Sequence, residues 1–276
     1  MSDLVSLMAA PFIACLVLAG IHAYLGIHVL ARGVIFVDLA LAQIAALGAA
    51  VGVLFGVELA SQASYGVAIA FACVGAGVFS LTRSRKEHVS QEAVIGIAYA
   101  VASAATVLVL DRSPHGAEQI KTLFVGSILW VTWKKVLWTA VLYAVLGVFH
   151  WVLRRRFLTV SFEPDTARAQ GWHIRWWDFI FYVAFGLVVT SSVQIAGVLL
   201  VFCFLVVPAV AASLLADGLR SRMRIGWGFG AAVSAAGCVI SYVGDLPTGA
   251  TVVCTFAVAL LLVVAARSLA TASARG

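Results

Sequence analysis

The chain has 276 residues, 63% of them hydrophobic and 11% charged, with a mean hydropathy of +1.07 and a formal net charge of +6. A soluble domain of this length needs far more charge to cover its surface, so the composition excludes one and points to repeated membrane-spanning helices. The positive charge falls in short loops, which assigns it to membrane orientation rather than to a nucleic-acid partner.

Apolar runs predict spans over residues 4–31, 36–56, 64–82, 91–110, 136–153, 177–193, 195–216, 225–243 and 248–266. The first follows Met1-Ser2-Asp3 without a basic stretch and is long, so it is expected to be a retained span rather than a cleaved signal. Nine crossings result, or eight if the weak polar break Thr190-Ser191-Ser192-Val193-Gln194 does not part its neighbours. The apolar piece Ile120 to Val131 is too short to cross and is expected to be re-entrant or a partial helix. The whole of 1–276 is thus one all-α, polytopic transmembrane domain of about eight or nine helices.

Small residues punctuate the second and third spans, at Ala45-Ala46, Gly48-Ala49-Ala50, Gly75 and Gly77, where helix backbones can approach closely. Pro208 should kink the seventh span and free a carbonyl. The five cysteines lie in apolar runs without CxxC spacing and read as buried small hydrophobes. Eight tryptophans cluster near the expected interfaces as an aromatic belt.

Orientation follows from the basic residues. Arg32, the 83–86 cluster, 154–175, 220–224 and the tail place fourteen of the eighteen Lys and Arg on one side, which the positive-inside rule makes cytoplasmic. The N-terminus is then outside and the C-terminus inside. The longest polar interruption, Arg154 to Arg175, is cytoplasmic in this scheme.

Ionisable groups inside the membrane are costly and are functional candidates by default. Asp38 lies near the start of the second span and shares a helix face with Ala42, Ala45 and Ala49. That face suits either a narrow passage or a helix contact; alternatively Asp38 is satisfied by the helix dipole and nearby Arg32. Gln43 is five residues on and about 140° round the helix. His22 and His28 lie in the first span, six residues apart, and a shared site with Asp38 would need groups from several helices. Carboxylate plus neutral imidazole would suit a divalent transition metal, and simple packing roles for the histidines stand beside that reading. His88, His115, His150 and His173 fall at span ends or in loops and are expected to be solvated. No HExxH, GxSxG or P-loop occurs, so an ATP-driven role would require ATP hydrolysis on another chain.

The segment Phe162-Glu163-Pro164-Asp165-Thr166-Ala167-Arg168-Ala169-Gln170-Gly171 has the pattern F-[DE]-P-x-x-A-x-x-x-G. It resembles the cytoplasmic segment of permeases from bacterial zinc/manganese/iron ABC importers, the ABC-3 family. Gln91-Glu92-Ala93-Val94-Ile95-Gly96, Phe124-Val125-Gly126-Ser127-Ile128-Leu129, Gly197-Val198-Leu199-Leu200-Val201 through Pro208-Ala209, and Leu246-Pro247-Thr248-Gly249 resemble further family pieces, in the family's order. One departure stands out. The family's second span usually carries Asp, a His four residues later, and Pro-Gly; here Ala42 follows Asp38 and Leu47-Gly48 replaces Pro-Gly, as in a divergent branch.

The resemblance implies a type II ABC importer-like fold in a bacterial inner membrane. It also implies a homodimeric permease surrounded by lipid, an ABC ATPase dimer that carries the ATP, and an extracytoplasmic substrate-binding protein. The chain itself would bind no cofactor and would not be an enzyme. Glu163, Pro164, Asp165, Ala167 and Gly171 would belong to an ATPase-coupling helix. The same likeness places zinc first as cargo, then manganese or iron, with Asp38, Gln43, His22 and His28 as candidate metal contacts. A permease for a metal chelate and a stand-alone secondary transporter are the alternatives.

Overall fold

In a computed structural model, residues 2–58, 61–83, 90–111, 126 and 128–273 are described, with side chains from 7 to 270. The basic cluster at 84–86, His88, His115 and residues 120–125 lie outside the described residues. The described part of the short apolar piece is a single 3-10 turn, Ile128–Trp130.

The helices are α1 (Ser2–Arg32), α2 (Val37–Leu54), α3 (Gln62–Leu81), α4 (Gln91–Leu110), α5 (Trp133–Val152), α6 (Arg154–Phe162), α7 (Pro164–Ala169), α8 (Ile174–Leu215), α9 (Leu219–Gly244) and α10 (Thr248–Ser273). Eight of them are long and apolar enough to cross a membrane. Their boundaries follow local chemistry. Ser61, Ser90 and Thr132 accept hydrogen bonds from the backbone N–H three residues on and so cap α3, α4 and α5.

The 42 residues of α8 would measure about 63 Å if straight, twice what a bilayer core requires. The run is instead a hairpin of two arms, 174–196 and 198–215. His22 and Gly26 are one turn apart on α1, yet His22 Nε2 is 3.2 Å from Ser192 Oγ, and a Cβ added at Gly26 would fall 2.0 Å from the Leu205 carbonyl oxygen. No straight helix places Ser192 and Leu205 so close together. The reversal is at Gly197, with φ 74° and ψ 165°, a region that essentially only glycine occupies. The backbone of Gly126 rests on this corner: a Cβ there would lie 2.2 Å from the Ala196 carbonyl carbon.

The expected break at 190–194 is therefore displaced. Those residues stay helical, and their hydroxyls are satisfied within the helix, Ser191 and Ser192 donating to the Leu187 and Val188 carbonyls at 2.9 and 2.6 Å. Pro208 keeps helical dihedrals inside the second arm; the non-helical residue is Gly197.

Both arms of α8 sit at the centre, against α1, α2, α3, α9 and α10. The core is aromatic and aliphatic: Phe181, Tyr182, Phe185, Phe204 and Leu205 are fully buried, and Phe204 meets Phe256 of α10 edge-on at 5.3 Å. The small-residue track of α2 serves as a helix contact, with Ala45 and Ala49 packed against Ala68 and Ala72 of α3. Cys15 and Cys238 are buried as expected, whereas Cys254 is exposed on the outer face of α10. On a membrane helix that face meets lipid, which tolerates a thiol as readily as a core does.

Candidate coupling segment and intramembrane polar groups

The segment 154–173 forms a bent pair of short helices. Glu163, at φ −133° and ψ 58°, breaks the run between α6 and α7. Pro164 then occupies the first position of α7, where a missing N–H costs nothing. Gly171, at φ 73°, stops it. Gly171 N–H donates to the Arg168 carbonyl at 2.9 Å and Trp172 N–H to Ala167 at 3.0 Å, the paired bonds of a Schellman cap. Ala167 is fully buried, while Glu163, Asp165, Thr166 and Arg168 are exposed. Asp165 and Arg168 pair at 2.8 Å on the outer face. The result is a short, stiff, polar knob pinned by one alanine.

Beneath it lies a buried charge node. Asp178, near the start of α8, accepts from Arg32 at the end of α1, and from Arg83 just beyond α3 at 2.7 Å. Arg83 also donates to the Val160 carbonyl of α6 at 3.1 Å, and Arg32 Nε to Ser161 Oγ at 2.9 Å. The Arg32 guanidinium lies 3.9 Å from the Phe181 ring centroid. One carboxylate thus joins three spans to the helix that precedes the knob. Arg156 adds a further tie, its guanidinium 4.0 Å from the centre of the Trp172 ring.

Asp178 escapes a reading of the sequence because it stands at a span boundary beside Trp177, where a charge is unremarked. The available signal was an acid flanked by aromatics, next to a chain rich in unpaired arginine. Arg32 likewise does not meet the expectation that it neutralises Asp38; its partner is Asp178.

The four candidate metal contacts are not brought together. His22 Nδ1–H donates to the Leu18 carbonyl at 2.8 Å, and its other nitrogen faces Ser192. His28 Nδ1 lies 2.8 Å from Ser161 Oγ, with Tyr24, Phe162 and Phe181 around its ring. Asp38 is buried; its Oδ1 accepts from Leu39 N–H at 2.7 Å and its Oδ2 has no partner among the described residues. Gln43 is buried with Nε2 unpartnered. Among the described residues, no three His, Cys, Asp or Glu side chains stand close enough to hold a metal ion. A regular α2 keeps Asp38 and Gln43 on different faces, and the histidines are engaged by neighbouring helices.

Of the histidines expected to be solvated, the two described ones differ. His150 is buried rather than solvated, stacked on Phe157 at 4.5 Å and facing Tyr24 Oη at 3.4 Å, whereas His173 is exposed. Glu92 accepts the Phe36 N–H at 3.0 Å, which fixes the start of α4 to the turn before α2.

The comparisons with known proteins agree with this architecture. The family model described as "ABC 3 transport family" matches residues 5–267. The chain is 24% identical over 238 residues to the manganese transport system membrane protein MntC of Listeria innocua, covering 84% of this chain and 81% of that one. It is 27% identical over 209 residues to the manganese import system permease protein ScaB of Streptococcus parasanguinis, covering 71% and 74%. The solved structure of PsaBC from Streptococcus pneumoniae in complex with Fab superposes with a TM-score of 0.79 at 21% identity, covering 95% of this chain and 94% of that one. The match along almost the whole chain, on an all-helical bundle with eight membrane-length helices, makes this protein a member of the ABC 3 transport family, a membrane permease and not itself an enzyme.

Proposed function

We propose that the chain is the membrane subunit of an ATP-driven importer of a divalent transition metal, working as a homodimer with two copies of a separate ATPase and an extracytoplasmic binding protein. The observation that carries this reading is the knob at 163–171. It starts on Pro164, ends in a Schellman cap at Gly171, is exposed, and is tied through α6 and Asp178 to three spans. A chain without a P-loop has no ATPase of its own, and such a knob is the shape that transmits a partner's movement into the bundle. Glu163, Pro164, Asp165, Ala167 and Gly171 form it.

The knob end then faces the cytoplasm, with the N-terminus outside and the C-terminus inside. Asp38 and Gln43, buried with unsatisfied polar atoms, are the groups proposed to meet the cargo. MntC and ScaB are named as manganese proteins, which favours manganese over the zinc expected from motif likeness alone. The absence of a converged three-ligand set among the described residues also keeps a metal chelate as a second cargo reading.

The test is uptake of manganese, zinc, iron and a metal chelate by the complex reconstituted with its ATPase, with and without ATP. ATP-dependent uptake of one free ion supports the proposal. Uptake by the permease alone would sink it in favour of a secondary transporter.

A further inference from the structure

At the knob end of the bundle, helices α5 and α9 both pack on α1 but make at most marginal contact with each other. They form the walls of a partly open groove of about 580 Å³, with α1 as its floor. Arg154, just past α5, and Arg220, in the first turn of α9, line its mouth. Arg154 lies over the exposed Trp151 ring at 4.9 Å, and Arg220 makes no ion pair or hydrogen bond with the described residues. No acidic side chain lines the groove.

Away from the arginines the lining becomes apolar. It reaches Gly147 on α5 and Gly20 on α1, which is twelve residues, or about 18 Å, from the Arg32 end of that helix. Gly20 is exposed, and its carbonyl accepts Trp227 Nε1–H at 2.8 Å, so that indole forms part of the apolar lining. A Cβ added at Gly20 or Gly147 meets nothing within 4 Å.

We propose that this groove holds one anionic phospholipid, its phosphate between Arg154 and Arg220 and an acyl chain along Gly147 and Gly20. Two guanidiniums with no acid among the lining residues, beside Trp151 at the end of α5, match a lipid phosphate in charge and depth. The apolar reach to the middle of α1 is longer than a free phosphate can use. A second copy of the chain is a poor occupant, because two-fold pairing of this face would oppose four arginines. The inference concerns a lipid site and stands whatever ion the permease carries.

The test uses the full-length permease in complex with its ATPase, in bilayer discs of mixed phosphatidylglycerol and phosphatidylcholine, with bound lipid read by native mass spectrometry. Retained phosphatidylglycerol should exceed phosphatidylcholine by on the order of tenfold, given the attraction of two arginines for an anionic headgroup. Arg154→Gln with Arg220→Gln should bring the ratio to that of the surrounding bilayer. Gly147→Leu should fill the apolar slot and release the lipid while thermal stability is kept, since its side chain enters open space. Equal retention of both lipids by the wild type, or an unchanged ratio in the double variant, overturns the proposal. Displacement by inorganic phosphate together with indifference to Gly147→Leu overturns it in favour of a free-anion site. Disulfide-linked dimers formed through Gly147→Cys overturn it in favour of a protomer contact.

Discussion

Two polar regions of this protein are built on opposite terms. At the knob end the buried charges meet opposite charges: Asp178 takes two arginines through Oδ1, although its Oδ2 and Arg32 Nη2 make no further bond among the described residues, Arg83 reaches Val160, Gly171 closes a helix cap and Ala167 anchors it. At the start of α2, Asp38 is buried without an ion pair among the described residues, and Asp38 Oδ2 and Gln43 Nε2 have no hydrogen-bond partner there. A buried charge held by opposite charges fixes shape, while a buried acid without one costs stability. The first region therefore reads as machinery for holding geometry. The second is the region proposed to meet the cargo.

The sharpest way to break this contrast is Asp178→Ala. It strands two largely buried guanidiniums, and breaking a buried pair costs about 3–5 kcal/mol. Thermal unfolding of the detergent-purified chain should show a marked drop, and a variant as stable as the wild type would mean that the node holds nothing. Next comes Gly171→Ala, which forces an L-residue into the left-handed region for about 1–2 kcal/mol. The cost is confined to the end of α7, so membrane insertion should persist while co-purification with the ATPase falls. Undiminished co-purification would detach the knob from the partner.

Asp38→Asn sharpens the other side. Replacing an under-satisfied buried acid with a neutral isostere should leave stability unchanged or raise it by about 1 kcal/mol. Metal uptake should nevertheless fall, with the complex still assembled. A loss of stability like that of Asp178→Ala would make Asp38 structural and erase the contrast. Smallest of all is Asp165→Ala: its pair with Arg168 is exposed and worth less than about 1 kcal/mol, so unfolding should barely move. Any large effect would have to appear in ATPase association instead.

Much of the fold was legible in advance. The apolar runs place the eight membrane-length helices to within a few residues at most ends, and Pro164 and Gly171 mark the start and stop of α7 where they are observed. The failures share a cause. The corner of α8 was expected at the polar residues 190–194, but hydroxyls can bond to their own helix, and the reversal went to the one nearby residue able to adopt φ 74°. His150 looked like a span-end residue, and only the packing of α6 back onto α1 and α5 buries it against Phe157. Arg32 appeared to belong to Asp38 because they are near in sequence; in the bundle it belongs to Asp178, 146 residues away.

The sequence by itself determined that the chain is a bundle of membrane helices with a polar knob started by a proline and stopped by a glycine. Those features depend on local chemistry: the apolar length a bilayer demands and the backbone habits of Pro and Gly. Only the tertiary structure decided that the knob is tied to α1, α3 and α8 through Asp178, and that Asp38 and Gln43 are left unsatisfied. Which partner a buried polar group finds is set by the helices packed around it, and neighbours in space are not neighbours along the chain.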